Sequence, residues 1–250
     1  YTSRESLQHY LQQKNIKWVS DPSNSNEDFE RISQRKTWKI LKSSGFSESR
    51  IELSANHMRR ANDALNQMLP VHFKEIGKQE LTELSWEYNA FLALPEEFKL
   101  RLISAAVMWN RRLYYRPRFK AVLDVLKNIR DKKTIVLGGA IFYYNAGNIR
   151  ITTEFQSIKD LSVSCTPGSV WRNIWVVKRK IKDGYVTSIG IDGNKQLSKK
   201  QRATMPYRSR IVQPGIFVDE KLLLAPTLDG EGSEYLSFCG IKFNDFLNSH

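Results

Sequence analysis

Two arginines four residues apart follow a turn rich in hydrogen-bonding side chains. The run is Asp21-Pro22-Ser23-Asn24, then Phe29, Arg31 and Arg35. On a helix that spacing puts both guanidiniums on one face. Two such forks suit the oxygens of phosphate or carboxylate. Asp21 and Asn24 are also ordinary turn and cap formers, so a capped helix with a solvated basic face is the other reading.

A second constellation is Arg111-Arg112-Leu113-Tyr114-Tyr115-Arg116-Pro117-Arg118-Phe119-Lys120, with five cations and three aromatics in ten positions. Aromatic rings among arginines can stack on bases while the cations meet phosphate. The plainer reading makes Tyr114 and Phe119 core residues and the arginines a wet surface. A third lies within 178–210. It opens with Lys178, Arg179, Lys180 and Lys182 and continues with Lys195, Lys199, Lys200, Arg202, Arg208 and Arg210, against only Asp183 and Asp192. Such a local excess reads as a footprint for a phosphate backbone. A solvated loop over 192–202 is the alternative.

Self-sufficient catalytic machinery is not legible. The four histidines, His9, His57, His72 and His250, have no second histidine or cysteine as a metal partner at i+3 or i+4. GxSxG, Walker and strand-to-helix GxGxxG patterns are absent. Gly138-Gly139 follows a strand pattern but leads into another strand, which suits a hairpin bend. Cys165 and Cys239 form no CxxC and have no nearby histidine, so neither a zinc site nor a disulfide framework is expected. A reducing, cytoplasmic compartment fits them, and no apolar run reaches the ~20 residues of a membrane span.

The elements that must carry these clusters change character along the chain. Arg4 to Lys14 and Phe29 to Leu41 read as helices, with a brief extended stretch at 16–19 between them. Glu48 to Leu69 shows Ile51, Ala55, Met58, Ala61, Leu65 and Met68 at helical steps, and Pro70 is expected to end it. Helices follow over Trp86 to Leu92, Glu96 to Trp109 and Phe119 to Ile129, with Pro95 as a first helical residue. Beyond Lys133 the pattern becomes β. Strands are expected at 134–137, 140–144 and 149–155, the last two joined by Asn145-Ala146-Gly147-Asn148. Further strands are expected at Trp171 to Ile181, Tyr185 to Ile191, Arg210 to Val218 and Lys221 to Leu224.

The charge balance supports a polyanionic partner. The 250 residues hold 39 Lys plus Arg against 26 Asp plus Glu, a formal +13. Residues 1–130 contribute 22 basic and 15 acidic, and 131–250 contribute 17 and 11, so the excess is no detachable tail. A basic surface gains affinity for polyphosphate by releasing condensed counterions.

The 21–35 segment resembles the end of the catalytic domain of bacterial tRNA(Ile)-lysidine synthetases. Trp18-Val19-x-Asp21-Pro22-Ser23-Asn24 with Phe29, Arg31 and Arg35 carries the likeness. It continues in order through Leu94-Pro95-Glu96 with Arg101-Leu102, Pro117-Arg118 and Leu137-Gly138-Gly139. It closes on Met205-Pro206-Tyr207-Arg208-x-Arg210, Pro214 and Leu224-Ala225-Pro226, in the manner of the shorter, α-proteobacterial-like members. Asn26 stands where members often have an acid, and Ser33 where many have a basic residue.

The resemblance implies an enzyme that uses ATP, with Mg, to adenylate the wobble cytidine of an isoleucine tRNA and then joins free lysine to it. The family's SGGxDS loop is absent here, so the resemblance implies a C-terminal portion, inactive alone and with no cofactor of its own. Asp21, Asn24, Arg31 and Arg35 would edge the active site. The two later basic clusters would hold tRNA near its anticodon, and a homodimer is a possible assembly. The expected class is α+β: the end of an α/β catalytic domain over 1–46, a helical-bundle domain over 47–132 and a mainly β domain over 133–250. A standalone basic RNA- or DNA-binding module is the alternative, and a merely basic protein-interaction domain a further one.

Overall fold

A computed structural model describes residues 4–17, 30–229 and 234–249. The chain divides into two compact units, Tyr1–Ala61 and Asn62–His250. The class is α+β, with three antiparallel sheets among the described residues.

The first unit contains α1 (Arg4–Gln13), α2 (Glu30–Ser43) and the start of α3 (Glu48–Ile76). The indole N–H of Trp38 donates to Glu48 Oε1 at 2.8 Å, and Lys42 Nζ lies 3.4 Å from the same oxygen. Those contacts hold its carboxyl below the usual range. No described residue of this unit is fully buried. Leu7, Ile40, Leu53 and Met58 are all exposed.

The second unit begins inside α3. Pro70 does not end this helix, as the sequence reading expected; the helix runs on to Ile76. A mid-helix proline costs roughly 3 kcal/mol. Beyond it Phe73 and Ile76 are buried, with Leu69 just before it, and burying each such side chain returns about 1.5–3 kcal/mol.

Two strands follow, β1 (Gly77–Glu80) and β2 (Glu83–Glu87), and β2 takes the first two residues of the helix expected from Trp86 to Leu92. Trp86 is therefore a strand residue, and the short helix α4 (Tyr88–Ala93) starts only after Glu87, whose carboxylate caps it. Alternating Leu84 and Trp86 point into the core, and pairing with a later strand overrides local helical preference. α5 (Glu96–Arg111) has Pro95 as its N-cap, one position before the expected one. α6 (Phe119–Arg130) buries Val122, Val125, Leu126 and Ile129.

The β region opens with β3 (Ile135–Leu137), β4 (Ala140–Asn145) and β5 (Asn148–Thr153). The expected 140–155 hairpin forms, closed by Ala146 and Gly147 at positive φ. The sheet order is β1-β2-β5-β4-β3. One core joins this sheet to α5, α6 and residues near the C-terminus, so residues on both sides of position 132 share it.

β6 (Ser162–Ser164), β7 (Val170–Trp171), β8 (Trp175–Val177) and β9 (Tyr185–Ser188) come next. The expected single strand from Trp171 is thus a tight hairpin instead. Helical turns α7 (Gly190–Gln196), α8 (Lys199–Ala203) and α9 (Tyr207–Arg210) precede β10 (Pro214–Val218), which starts four residues later than expected. β11 (Lys221–Leu224), α10 (Pro226–Asp229), β12 (Leu236–Phe238) and α11 (Phe243–Ser249) complete the order. The sheets β11-β10-β9-β6 and β12-β8-β7 enclose a second core around Trp171, Trp175 and Ile216.

A buried polar bridge ties β2, β4 and β5 to α9. Glu83 pairs with Arg150, and the Tyr143 hydroxyl lies 2.5 Å from Ser209 Oγ. Burial pushes the Tyr143 phenol up to about 12, helped by the nearby Glu83 charge.

Candidate nucleic-acid interface

The 111–120 segment connects α5 to α6. Arg112 ends α5 in the left-handed region at φ 53°, and the Leu113 N–H closes back on Met108 O at 3.0 Å. The chain then turns outward. Tyr114 is 94% exposed, Tyr115 87% and Phe119 65%, so Tyr114 and Phe119 are not core residues. Arg116, Arg118 and Lys120 are exposed beside them.

This charge is placed against the helix dipole. α6 has no acid in its first turn and no side-chain cap from Arg118. Its free N–H groups add positive potential to that of the cations. The arrangement repels a cation and favours an anion. Arg116, Pro117 and Phe119 also edge a largely apolar cavity of about 230 Å³ whose wall includes Leu100 and Met108.

The third cluster divides by role. Lys178, Lys180 and Lys182 are exposed. Arg179 meets Glu234 at 2.6 Å and lies over the Tyr235 ring at 5.7 Å. The stretch 192–202 is not a loop: Ser198 and Gln201 form a reciprocal capping box that starts α8. Lys199 and Lys200 are thereby presented to solvent in its first turn. Arg202 donates to Lys195 O at 2.6 Å, while Lys195 pairs with Asp192 at 2.8 Å. Arg208 lies over the Tyr143 ring at 5.9 Å.

Arg210 corrects the surface reading. Only 7% exposed, it donates to Asn194 Oδ1 at 2.7 Å and Met205 O at 2.8 Å, and also to Arg202 O. Burial lowers its pKa, with the Arg202 charge adding to the effect. Its guanidinium holds α7, α8 and α9 together and is spent on protein acceptors.

Asp21 and Asn24 lie outside the described residues. Arg31 and Arg35 lie on α2, one helical turn apart.

Arg172, which sequence reasoning missed, joins Arg111 and Arg112. It sits in the β7–β8 turn, donating to Thr153 Oγ1 and, at 3.4 Å, to Val212 O. Burial, then the charges of Arg111 and Arg112, bring its pKa down to about 10. Sequence offered one weak signal, the turn-forming Asn173 beside it.

The described residues hold no group of three potential metal ligands. Gly138 and Gly139, at φ 58° and 82°, turn the β3–β4 hairpin, and a Cβ on Gly139 would lie 2.8 Å from Arg111 Nε. They open no helix, so these residues do not fit an ATP-phosphate cradle, and no chemical step runs through them.

Fold and surface define a mixed α+β chain with a basic, aromatic-bearing exterior. No protein-family model matches it. It is 28% identical over 225 residues to a tRNA(Ile)-lysidine synthase of Ruegeria pomeroyi, covering 90% of this chain and 53% of that protein. It is 28% identical to the enzyme of that name from Wolbachia pipientis, covering 65% and 38%, and 22% identical to that of Rhizobium meliloti, covering 92% and 48%. The chain is therefore related to the tRNA(Ile)-lysidine synthases and matches their C-terminal part. It spans about half the length of the Ruegeria and Rhizobium proteins and 38% of the Wolbachia one. Among the described residues, no helix is long and apolar enough to cross a membrane.

Proposed function

We propose that this chain is the tRNA-binding portion of a tRNA(Ile)-lysidine synthase. The whole enzyme joins lysine to the wobble cytidine of an isoleucine tRNA with ATP and Mg, in the cytoplasm. The observation that carries this reading is the outward projection of Tyr114 and Tyr115 among Arg112, Arg116, Arg118 and Lys120. Exposed rings cost a protein solubility and gain it nothing in its own core, whereas unpaired bases stack on them.

In this reading the chain's contribution to catalysis is positioning. Holding the tRNA so that its wobble base meets the reactive centre removes the entropy cost of bringing reactants together. Lys178, Lys180, Lys199 and Lys200 supply further phosphate contacts. Asp21, Asn24, Arg31 and Arg35 edge the reactive centre, and the chain alone forms no lysidine.

A nuclease footprint tests this. The chain should protect the anticodon arm of an isoleucine tRNA and leave the acceptor end less protected. Uniform weak protection, or none, contradicts the reading and favours a nonspecific basic module.

A further inference from the structure

Arg112 and Arg172 are two of ten non-glycine residues at positive φ among the described residues. Both take positive φ, 53° and 55°, in positions that favour glycine or asparagine. Arg112 fills the left-handed position that ends α5. Arg172 and Asn173 form the centre of the β7–β8 turn, closed by the Ile174 N–H on Trp171 O at 3.2 Å. Side chains of arginine gain nothing from that backbone geometry.

The guanidiniums are also set by their surroundings. That of Arg112 lies against Gly240, where an added Cβ would come within 3.0 Å of its Nη2. Arg111 packs on Gly139 and reaches Ser157 Oγ at 3.1 Å, leaving its buried Nε–H without a partner. Arg112 and Arg172 line one narrow crevice with Thr82, Asn110 and Phe238.

None of the three arginines has a carboxylate partner among the ion pairs of the described residues. Gathering like charges at a partly buried place without a counter-charge is unfavourable unless an anion completes it. Arg172 bears the cost: burial, then the charges of Arg111 and Arg112, lower its pKa.

We propose that Arg112 and Arg172, with Arg111 adding charge nearby, form a site for one phosphate-type oxyanion, seated at the mouth of the crevice between the end of α5 and the β7–β8 turn. The crevice itself holds about 10 Å³, the room of one water. One oxygen enters it, and the remaining oxygens stay outside, as a phosphodiester in a strand requires. Assigning the phosphate to RNA rests on the tRNA-binding reading; the oxyanion site does not.

The test uses inorganic phosphate and tRNA separately. Melting curves are taken in sodium phosphate and in sodium chloride at matched ionic strength. Phosphate should stabilise the protein saturably, and Arg112→Gln should weaken its apparent affinity at least about tenfold, the loss expected for a charge-assisted contact. Lys127→Gln, which removes an exposed charge on α6 outside the site, should leave it unchanged. Arg172→Gln should act like Arg112→Gln; if it fails to fold, Arg112→Gln still decides. Equal stability in phosphate and chloride for the unmodified chain overturns the site. So does full phosphate sensitivity in Arg112→Gln.

The tRNA arm identifies the source. If the phosphate belongs to RNA, Arg112→Gln lowers the slope of log affinity against log salt by about 0.7–0.9. If phosphate stabilisation is lost but the slope is unchanged, the site serves a free phosphate compound. If the chain binds no tRNA yet responds to phosphate, the functional reading fails and the oxyanion site stands.

Discussion

Replacing Tyr114 and Tyr115 with alanine separates RNA contact from folding. The rings are 94% and 87% exposed, so each buries only about a tenth of a ~200 Å² side chain in the protein. At ~25 cal/mol/Å² that is about 0.5 kcal/mol each at most. A unit of this size then melts within about 1–2 °C of the unmodified chain for each substitution. Stacking a base on an aromatic ring contributes about 1–3 kcal/mol. Each substitution should therefore weaken tRNA binding by about 5- to 150-fold. Filter binding against a fixed tRNA, paired with a melting curve, measures both quantities. Unchanged affinity with unchanged melting would refute stacking by these rings. A fall in both would mean that the loop supports the fold and that its exposure misleads.

Three further outcomes follow from the buried and exposed cations. Arg150→Met strands the buried Glu83 carboxylate and should cost about 3–5 kcal/mol at neutral pH in urea unfolding. Burial, opposed by Ser209 and Arg150, raises the folded Glu83 pKa, so its stabilising share is complete below the unfolded pKa and is lost as pH rises through the folded one. The Arg150→Met penalty should accordingly shrink towards about pH 4, where the carboxyl is protonated; a penalty independent of pH contradicts the pairing. Arg210→Met should destabilise by about 3 kcal/mol, because several protein acceptors lose a charged donor, and restored binding in the cold would show that its effect on tRNA is indirect. Lys199→Gln with Lys200→Gln should leave melting within about 0.5 kcal/mol of the original and lower the tRNA salt slope by up to about 1.8; an unchanged slope removes α8 from the interface.

Periodicity made the α5 and α6 helices and the β4–β5 hairpin legible, because each buries one face at its own repeat. It misplaced Trp86, whose strand is fixed by pairing with Ile149 across the sheet rather than by its neighbours in sequence. It also overread Pro70, since the burial that carries α3 past the proline is tertiary. Charge counting found exposed Lys199 and buried Arg210 alike, and only the hydrogen bonds separate a surface cation from a scaffold one. Arg172 was invisible for the converse reason: it is a lone charge in a mostly apolar stretch and comes near Arg111 and Arg112 only through folding.

In the proposed function this chain holds tRNA through phosphate contacts and recognises an isoleucine tRNA. Filter binding of isoleucine and methionine tRNAs across a salt series tests it most directly. The four contacts of Lys178, Lys180, Lys199 and Lys200 alone predict about a hundredfold loss of affinity between about 50 and 200 mM salt, and those around Tyr114 add to it, with the isoleucine tRNA held tighter throughout. Weak binding that barely responds to salt, or equal binding of the two tRNAs at every salt, would contradict it.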